Sequence, residues 1–291
     1  MEEFFASERP EYVFLAAARV GGILVNSTRP ADFLADNLAI QQNVMLAAWR
    51  HRVKKLLFLG SSCIYPRLAR QPIREDCLLT GPLEPTNEAY AIAKIAGIHM
   101  LRALRQQHGF HGISVMPTNL YGPNDNYNPA TSHVLPAMIR RFHEAVEHGY
   151  PTVTLWGTGT PFREFLHSDD LADAAVFLMR GYDSAEPVNV GTGEDLPIRQ
   201  LAGLVAAAAG FHGSILWDLS KPDGTPRKRL DVSRMAAMGW RARVPLEQGI
   251  RRAYRDYSST ARIPKFDRPI SVSVDPSRNV PPSNEMYERS L

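Results

Sequence analysis

Short apolar, β-branched or aromatic runs alternate along this chain with longer segments of helical period, and that alternation restricts its fold more than any other feature. The runs lie at 12–18 ("YVFLAAA"), 55–62 ("KLLFLGSS"), 112–122 ("GISVMPTNLYG"), 153–157 ("VTLWG"), 187–193 ("PVNVGTG") and 214–220 ("SILWDLS"). Helical periodicity fills 30–50, 88–108, 133–148, 168–181, 197–210, 231–238 and 246–257. Such alternation predicts βαβ units and an α/β fold with a largely parallel, doubly wound sheet. The runs are apolar throughout, as expected of strands covered on both faces. The 291 residues suffice for one large domain or two modest ones.

The pattern breaks at both ends. Residues 2–9 read as the last turns of a helix, so the first strand arrives with no strand before it. A nucleotide-binding α/β fold normally opens with a strand and a Gly-rich turn that receives a pyrophosphate at a helix N-terminus. Neither G-x-G-x-x-G nor G-x-x-G-x-x-G occurs in the chain. After Tyr257 the sequence turns rich in Pro and Ser and loses its periodicity, which predicts a flexible tail over 258–291. A formal charge of +3 is too small to argue for a nucleic-acid partner. No apolar run reaches bilayer length, and "MEEFFASERP" is not a signal peptide. Cys63 and Cys77 make neither a metal spacing nor a disulfide framework. The expectation is a reduced, cytoplasmic protein with no metal site and no membrane partner.

Chemistry is expected beyond the carboxyl ends of the strands, where open α/β sheets bind ligands. The run at 12–18 leads into "AAARVGG", whose small residues let a flat ligand approach the backbone. The next ends in "GSSCIYP", placing Ser61, Ser62 and Cys63 at a strand terminus, and the third ends in the polar turn "MPTNLYGP". Tyr90 and Lys94 open the 88–108 helix four residues apart and so share one face. That five-residue pattern is weak by itself. Together with a strand-end serine it suits carbonyl reduction: Ser61 orients the carbonyl oxygen, Lys94 lowers the phenol's pKa, and Tyr90 donates a proton as hydride arrives. Each residue also has an ordinary reading. Cys63 reads as a small buried hydrophobe, His133 as a helix-start residue, Arg140 and Arg141 as a solvated face, and Trp156 as core. Asp169 and Asp170 read as first-turn acids of the next helix, and "KPDGTPRKRLD" as a surface turn. An Arg, a Trp and that basic loop in the C-terminal half suit equally an anionic nucleotide carried on a sugar.

The motifs "LAAARVGGI", "LLFLGSSCIYP", "LEPTNEAYAIAKIAG", "VMPTNLYGP", "GTGTPFREFLHSDD", "NVGTG" and "SKPDGTPRKRLDVSR" resemble the GDP-L-fucose synthase family of the extended short-chain dehydrogenases. The resemblance runs from about Glu3 to Tyr257. It implies a Rossmann-like NADP-binding domain over 1–150, N-terminally incomplete, and a smaller, mainly substrate-binding α/β domain over 151–257. Some segments of the second would return to the first sheet. It also implies NADPH-dependent epimerisation at C3 and C5 and reduction at C4 of a GDP-4-keto-6-deoxy sugar. Tyr90, Lys94 and Ser61 would serve the reduction, and Cys63 and His133 would be base and acid for the epimerisations. NADPH/NADP would lie against Ala17, Ala18, Leu59, Gly60, Ser61, Ser62, Lys94, Pro117, Thr118, Asn119, Leu120 and His133. Arg141, Trp156, Arg163, Asp223 and Lys228 would hold the GDP-sugar. A homodimer through the 30–50 and 88–108 helices is likewise implied. The departure from the family is the opening strand, Gly-rich turn, helix and second strand, a unit of roughly 40–50 residues expected before Met1. A truncated, non-catalytic sugar-nucleotide binder and a related NDP-sugar epimerase or reductase are the alternative expectations.

Overall fold

The computed structural model describes residues 1–261. Strand β1 (Tyr12–Leu15) pairs with β2 (Lys55–Leu59), β2 with β3 (Gly112–Pro117), and β3 with β7 (Val188–Val190), all in parallel. Side chains of a strand alternate between faces, and β2 shows the consequence. Leu56 and Phe58 enter one apolar cluster while Leu57 enters another on the opposite face. The first cluster is filled by helices α3 (Pro30–Arg50) and α4 (Glu88–His108) through Met45, Ile98 and Leu101, with Phe5 of α1 (Glu2–Glu8) at its edge. The second is filled by α6 (Ser168–Gly181) through Ala174 and Leu178, and by Met235 of the short α8 (Ser233–Ala237). The doubly wound arrangement follows from strands apolar on both sides. Helix α4 stops where Gly109 takes a left-handed φ of 66°, a position that favours glycine.

A separate sheet, richer in charged residues, flanks this one. In it β6 (Phe162–His167) pairs in parallel with β4 (Asn119–Tyr121) and β10 (Arg227–Lys228), and antiparallel with β8 (Asp195–Pro197). A two-stranded parallel pair, β5 (Thr152–Trp156) with β9 (Ser214–Asp218), lies beside α5 (Val134–Glu147), α7 (Ile198–Ala209) and α9 (Leu246–Ala261). Phe142, Leu155, Leu201 and Ile250 form the core of that region.

The expected run at 112–122 divides at Thr118, so that β3 stays in the main sheet while β4 joins the second. Thr118 makes the turn, its N–H donating to Val190 O and its Oγ1 to Glu164 O. The sequence pattern missed β6, β8, β10 and the short α2 (Ile23–Thr28), which are too polar or too short to read as elements. Helix α9 also runs past the expected boundary and takes residues 258–261 of the expected tail into its last turn, because Ser258, Ser259 and Thr260 return hydrogen bonds to the preceding turn's carbonyls. The rest of that tail, 262–291, lies outside the described residues.

Candidate active site

The ends of β2, β3 and β4 open on a cleft of about 610 Å³ bounded on its far side by β6, β10 and the start of α5. Every residue to which the resemblance gave a catalytic, cofactor or substrate role lines it except Ala17; Ala16 and Ala18 line it on either side. After β2 the chain enters a tight 3₁₀ turn at Ser62–Ile64, with Ser61 extended before it and the Ser61 Oγ accepting from the Cys63 N–H at 3.2 Å. This turn sets a hydroxyl and a thiol side by side at one strand end.

Tyr90 and Lys94 face the same space from α4. Burial pushes the Tyr90 phenol up, the neighbouring Cys63 adds to that, and a hydrogen bond with Ser61 opposes it. The Lys94 ammonium donates to Leu59 O at 2.8 Å and lies 4.7 Å from the Phe58 ring centroid and 5.8 Å from that of Tyr90. Burial in turn holds Lys94 down at about 8. In this arrangement burial and the neighbouring Cys63 outweigh the Ser61 hydrogen bond, so the phenol stands above its ordinary value.

On the other wall, Lys228 Nζ of β10 lies 3.5 Å from Cys63 Sγ. Burial raises the thiol, but the Lys228 charge, the Ser61 hydroxyl and Arg163 of β6 together bring it below the ordinary thiol value. His133, the residue before α5, lines the cleft between its walls. Loss of surrounding water holds its imidazole down, and the Lys228 ammonium lowers it further.

The outer rim is basic and aromatic. The Arg141 guanidinium lies 5.7 Å and the Lys221 ammonium 5.6 Å from the ring of Trp156, a residue that is 42% exposed. Arg141 also donates to Thr154 O, and Arg163 donates to Phe162 O and Asp223 O. Asp223 spends both carboxylate oxygens on Thr158, one on its N–H and one on its hydroxyl, each at 2.8 Å. It therefore shapes the 157–159 turn, where a Cβ on Gly157 would fall 2.2 Å from Asp223 Oδ1.

The cleft suits a long, hydroxyl-rich ligand. Asn26 Oδ1, Asn87 Oδ1 and Ser132 Oγ are buried along it without a protein partner. Buried polar atoms of this kind are ordinarily satisfied, so each is a free group for a ligand to meet. Sequence reasoning passed over Asn26, Asn87 and Ser132, and also Glu84. The carboxylate of Glu84 is buried, accepts from Thr86 and Thr225, and pairs with Arg67 at 3.1 Å. The signal was present in "LEPTNEAY", where Glu84 and Asn87 sit just ahead of Tyr90. Among the described residues no cluster of His, Cys, Asp and Glu suits a metal ion, and no helix is long and apolar enough to cross a membrane.

The sequence profile of the NAD dependent epimerase/dehydratase family matches residues 1–191. The chain is 60% identical over 257 residues to GDP-L-fucose synthase 1 of Arabidopsis thaliana, covering 88% of this chain and 80% of that protein. It is 53% identical over 264 residues to GDP-L-fucose synthase of Escherichia coli strain K12, covering 88% and 82%. Among solved structures, a GDP-L-fucose synthetase from Naegleria fowleri bound to NADP superposes with a TM-score of 0.81 at 29% identity, covering 89% of this chain and 81% of that one.

Proposed function

We proceed from the fact that the chain belongs to the NAD dependent epimerase/dehydratase family and, within it, to the GDP-L-fucose synthases, and we propose that it makes GDP-L-fucose from GDP-4-keto-6-deoxy-D-mannose. The substrate is inverted at C3 and C5 and then reduced at C4. One observation carries this reading: a proton-donor set and a base–acid set line a single cleft. A simple reductase would need only the first.

NADPH, when bound, supplies the hydride that C4 receives. The residues to hold it are Ala17 and Ala18, Leu59 to Ser62, Lys94, Pro117 to Leu120 and His133. The 4-keto group acidifies the C–H bonds at C3 and C5, so both inversions precede reduction. Cys63 removes each proton as thiolate, and His133 returns one from the opposite face. Ser61 holds the C4 oxygen, and Tyr90 gives it a proton at the end. Arg141, Trp156 and Arg163 grip the nucleotide diphosphate and base, with Asp223 fixing the turn they share. Residues 1–150 form the cofactor domain, and residues 151–257 mainly hold substrate.

We place the protein in the cytoplasm, a reading supported by the free thiols Cys63 and Cys77. It acts as a homodimer through α3 and α4, supported by their packing side by side and by Ile92 standing exposed on α4. Light scattering that finds a monomer would remove the dimer.

The test is incubation of the 291-residue chain with NADPH and GDP-4-keto-6-deoxy-mannose in deuterated water. Deuterium at both C3 and C5, with stoichiometric NADPH loss and a GDP-L-fucose product, is expected. Reduction without deuterium uptake, or equal turnover of UDP- or dTDP-linked 4-keto sugars, would overturn the proposal.

A further inference from the structure

We propose that Lys228 is a positioning residue for the epimerisation half of the reaction, its ammonium held against the Cys63 sulfur and facing His133, and that it does not grip the nucleotide. This rests on the reading of Cys63 and His133 as base and acid.

The geometry comes first. Strand β10 is only two residues long and pairs with Phe162 and Arg163 of β6, so its second residue is fixed in register with the strand that carries Arg163. Lys228 Nζ thereby reaches Cys63 Sγ at 3.5 Å, across 165 residues of chain. Of the basic groups assigned to the nucleotide, Arg141 lies elsewhere, beside Trp156, while Arg163 is the β6 register partner of Lys228 and donates to Phe162 O and Asp223 O, away from the sulfur. A lysine directed at a sulfur supplies charge to a thiolate, as a point charge on a flexible stem does well.

The charges around the pair can be named element by element. Cys63 faces Lys228 from β10, Arg163 from β6, Tyr90 from α4 and its own neighbour Ser61. Arg163 is itself faced by Glu84 and Asp223, which dilute its effect on the thiol. His133 faces Lys228. One ammonium thus acts on both members of the proton-transfer pair, and in the same direction.

The step balances without an added reagent. The Cys63 thiolate takes the proton from C3 or C5, and the C–H bonding pair moves into an enolate whose charge rests on the C4 oxygen. A proton from the His133 imidazolium then makes a new C–H bond on the opposite face as the carbonyl re-forms. The thiol and the neutral imidazole reset by exchange with water. A positive charge beside the sulfur favours the thiolate, and the same charge beside the ring disfavours the imidazolium. The bell-shaped pH profile of epimerisation is therefore carried downward as a unit. A nucleotide-gripping lysine would instead change KM and leave both limbs in place.

The experiment compares Lys228→Met and Lys228→Arg with the parent chain. Iodoacetamide modification of Cys63 is followed against pH and read by peptide mass so that Cys77 is separated. This measurement needs no substrate. Lys228→Met is expected to raise the midpoint by about 1–3 pH units, the usual effect of an opposite charge at this range, while Lys228→Arg restores most of it. Deuterium exchange at C3 and C5 should show both limbs moved upward in Lys228→Met, with NADPH affinity unchanged as a check on folding. An unmoved midpoint with fixed limbs and a raised KM would overturn the proposal and return Lys228 to the nucleotide. The underlying reading fails separately: if Cys63→Ser exchanged both protons at the parental rate, Cys63 would not be the base, whatever Lys228→Met did.

Discussion

The two walls of the cleft lose water alike, yet that loss leads to opposite results. On the α4 wall no charge offsets it: the Tyr90 phenol rises against a Ser61 hydrogen bond alone, and burial brings Lys94 down to about 8 although its ammonium meets Leu59 O and the Phe58 ring. On the β10 wall a thiol that burial alone would raise ends below its ordinary value, because Lys228 lies 3.5 Å from its sulfur. Desolvation is general across a site, whereas compensation is local and depends on where one charge is pinned. A group meant to keep its proton until hydride arrives belongs on the first wall. A group meant to take protons belongs on the second.

The widest separation of the two walls comes from removing one functional atom from each. Tyr90→Phe is expected to lower reduction by about 10²–10⁴-fold while C3 and C5 still exchange protons with solvent, and Cys63→Ser should do the reverse. Deuterium incorporation and NADPH consumption, read on the same samples, check both. Parallel loss of exchange and reduction in Tyr90→Phe would mean that the walls do not work independently.

The same contrast explains what could be read from the chain. The main sheet was legible because β2 and β3 are apolar on both faces, and α4 begins at Glu88 and ends at His108 where its periodicity does. The second sheet was not. Strand β6 carries Arg163 and Glu164 at its centre, and β10 is an arginine and a lysine, so neither offers an apolar run. Glu164 is 0% exposed, and it is tolerable there because Gly193 N–H and Leu230 N–H donate to its two oxygens at 2.8 and 2.7 Å. Those partners lie far along the chain, and no local pattern announces them. For the same reason Ser61, Tyr90 and Lys94 were recognisable as a set. Lys228 was recognisable only as a basic residue in a loop, and its thiol partner came from the fold.

Glu164 offers the next test, now of the frame that holds the β10 wall. Glu164→Gln keeps the shape but replaces one oxygen with an amide group that can only donate, facing a backbone N–H. A loss of about 1–3 kcal/mol in unfolding free energy is expected from denaturant titration. The local consequence should be weaker docking of β10, seen as slower Cys63 alkylation at neutral pH. A variant as stable as the parent would show that the two N–H bonds contribute little.

Trp156→Ala probes the rim, which both walls share. Losing the ring that Arg141 and Lys221 flank is expected to raise KM for the GDP-sugar about tenfold, or ~1.4 kcal/mol, with kcat nearly unchanged. Exchange and reduction should weaken together, because nucleotide grip serves both. A fall in kcat of one half-reaction alone would move Trp156 from the rim into that half's machinery.

The smallest effect expected is a pH limb, and it belongs to the α4 wall alone. A lysine held at about 8 is an ammonium below that pH and loses its charge as pH rises through it. The charge that steadies Tyr90's neighbourhood is therefore half gone near pH 8 and down to roughly a tenth one unit higher. Reduction should decline over that interval. Exchange at C3 and C5 draws its charge from Lys228 and should not share that limb. Lys94→Arg sharpens the point, since a guanidinium stays charged throughout and should flatten the decline even where the longer side chain lowers the overall rate. If exchange fell in step with reduction, the two walls would be titrating as one coupled set and Lys94 would reach Cys63 electrostatically. If reduction held level to high pH, then the bound cofactor, which Lys94 would meet, must restore the ammonium that burial disfavours, and the α4 wall would be compensated after all, by its ligand instead of by its fold.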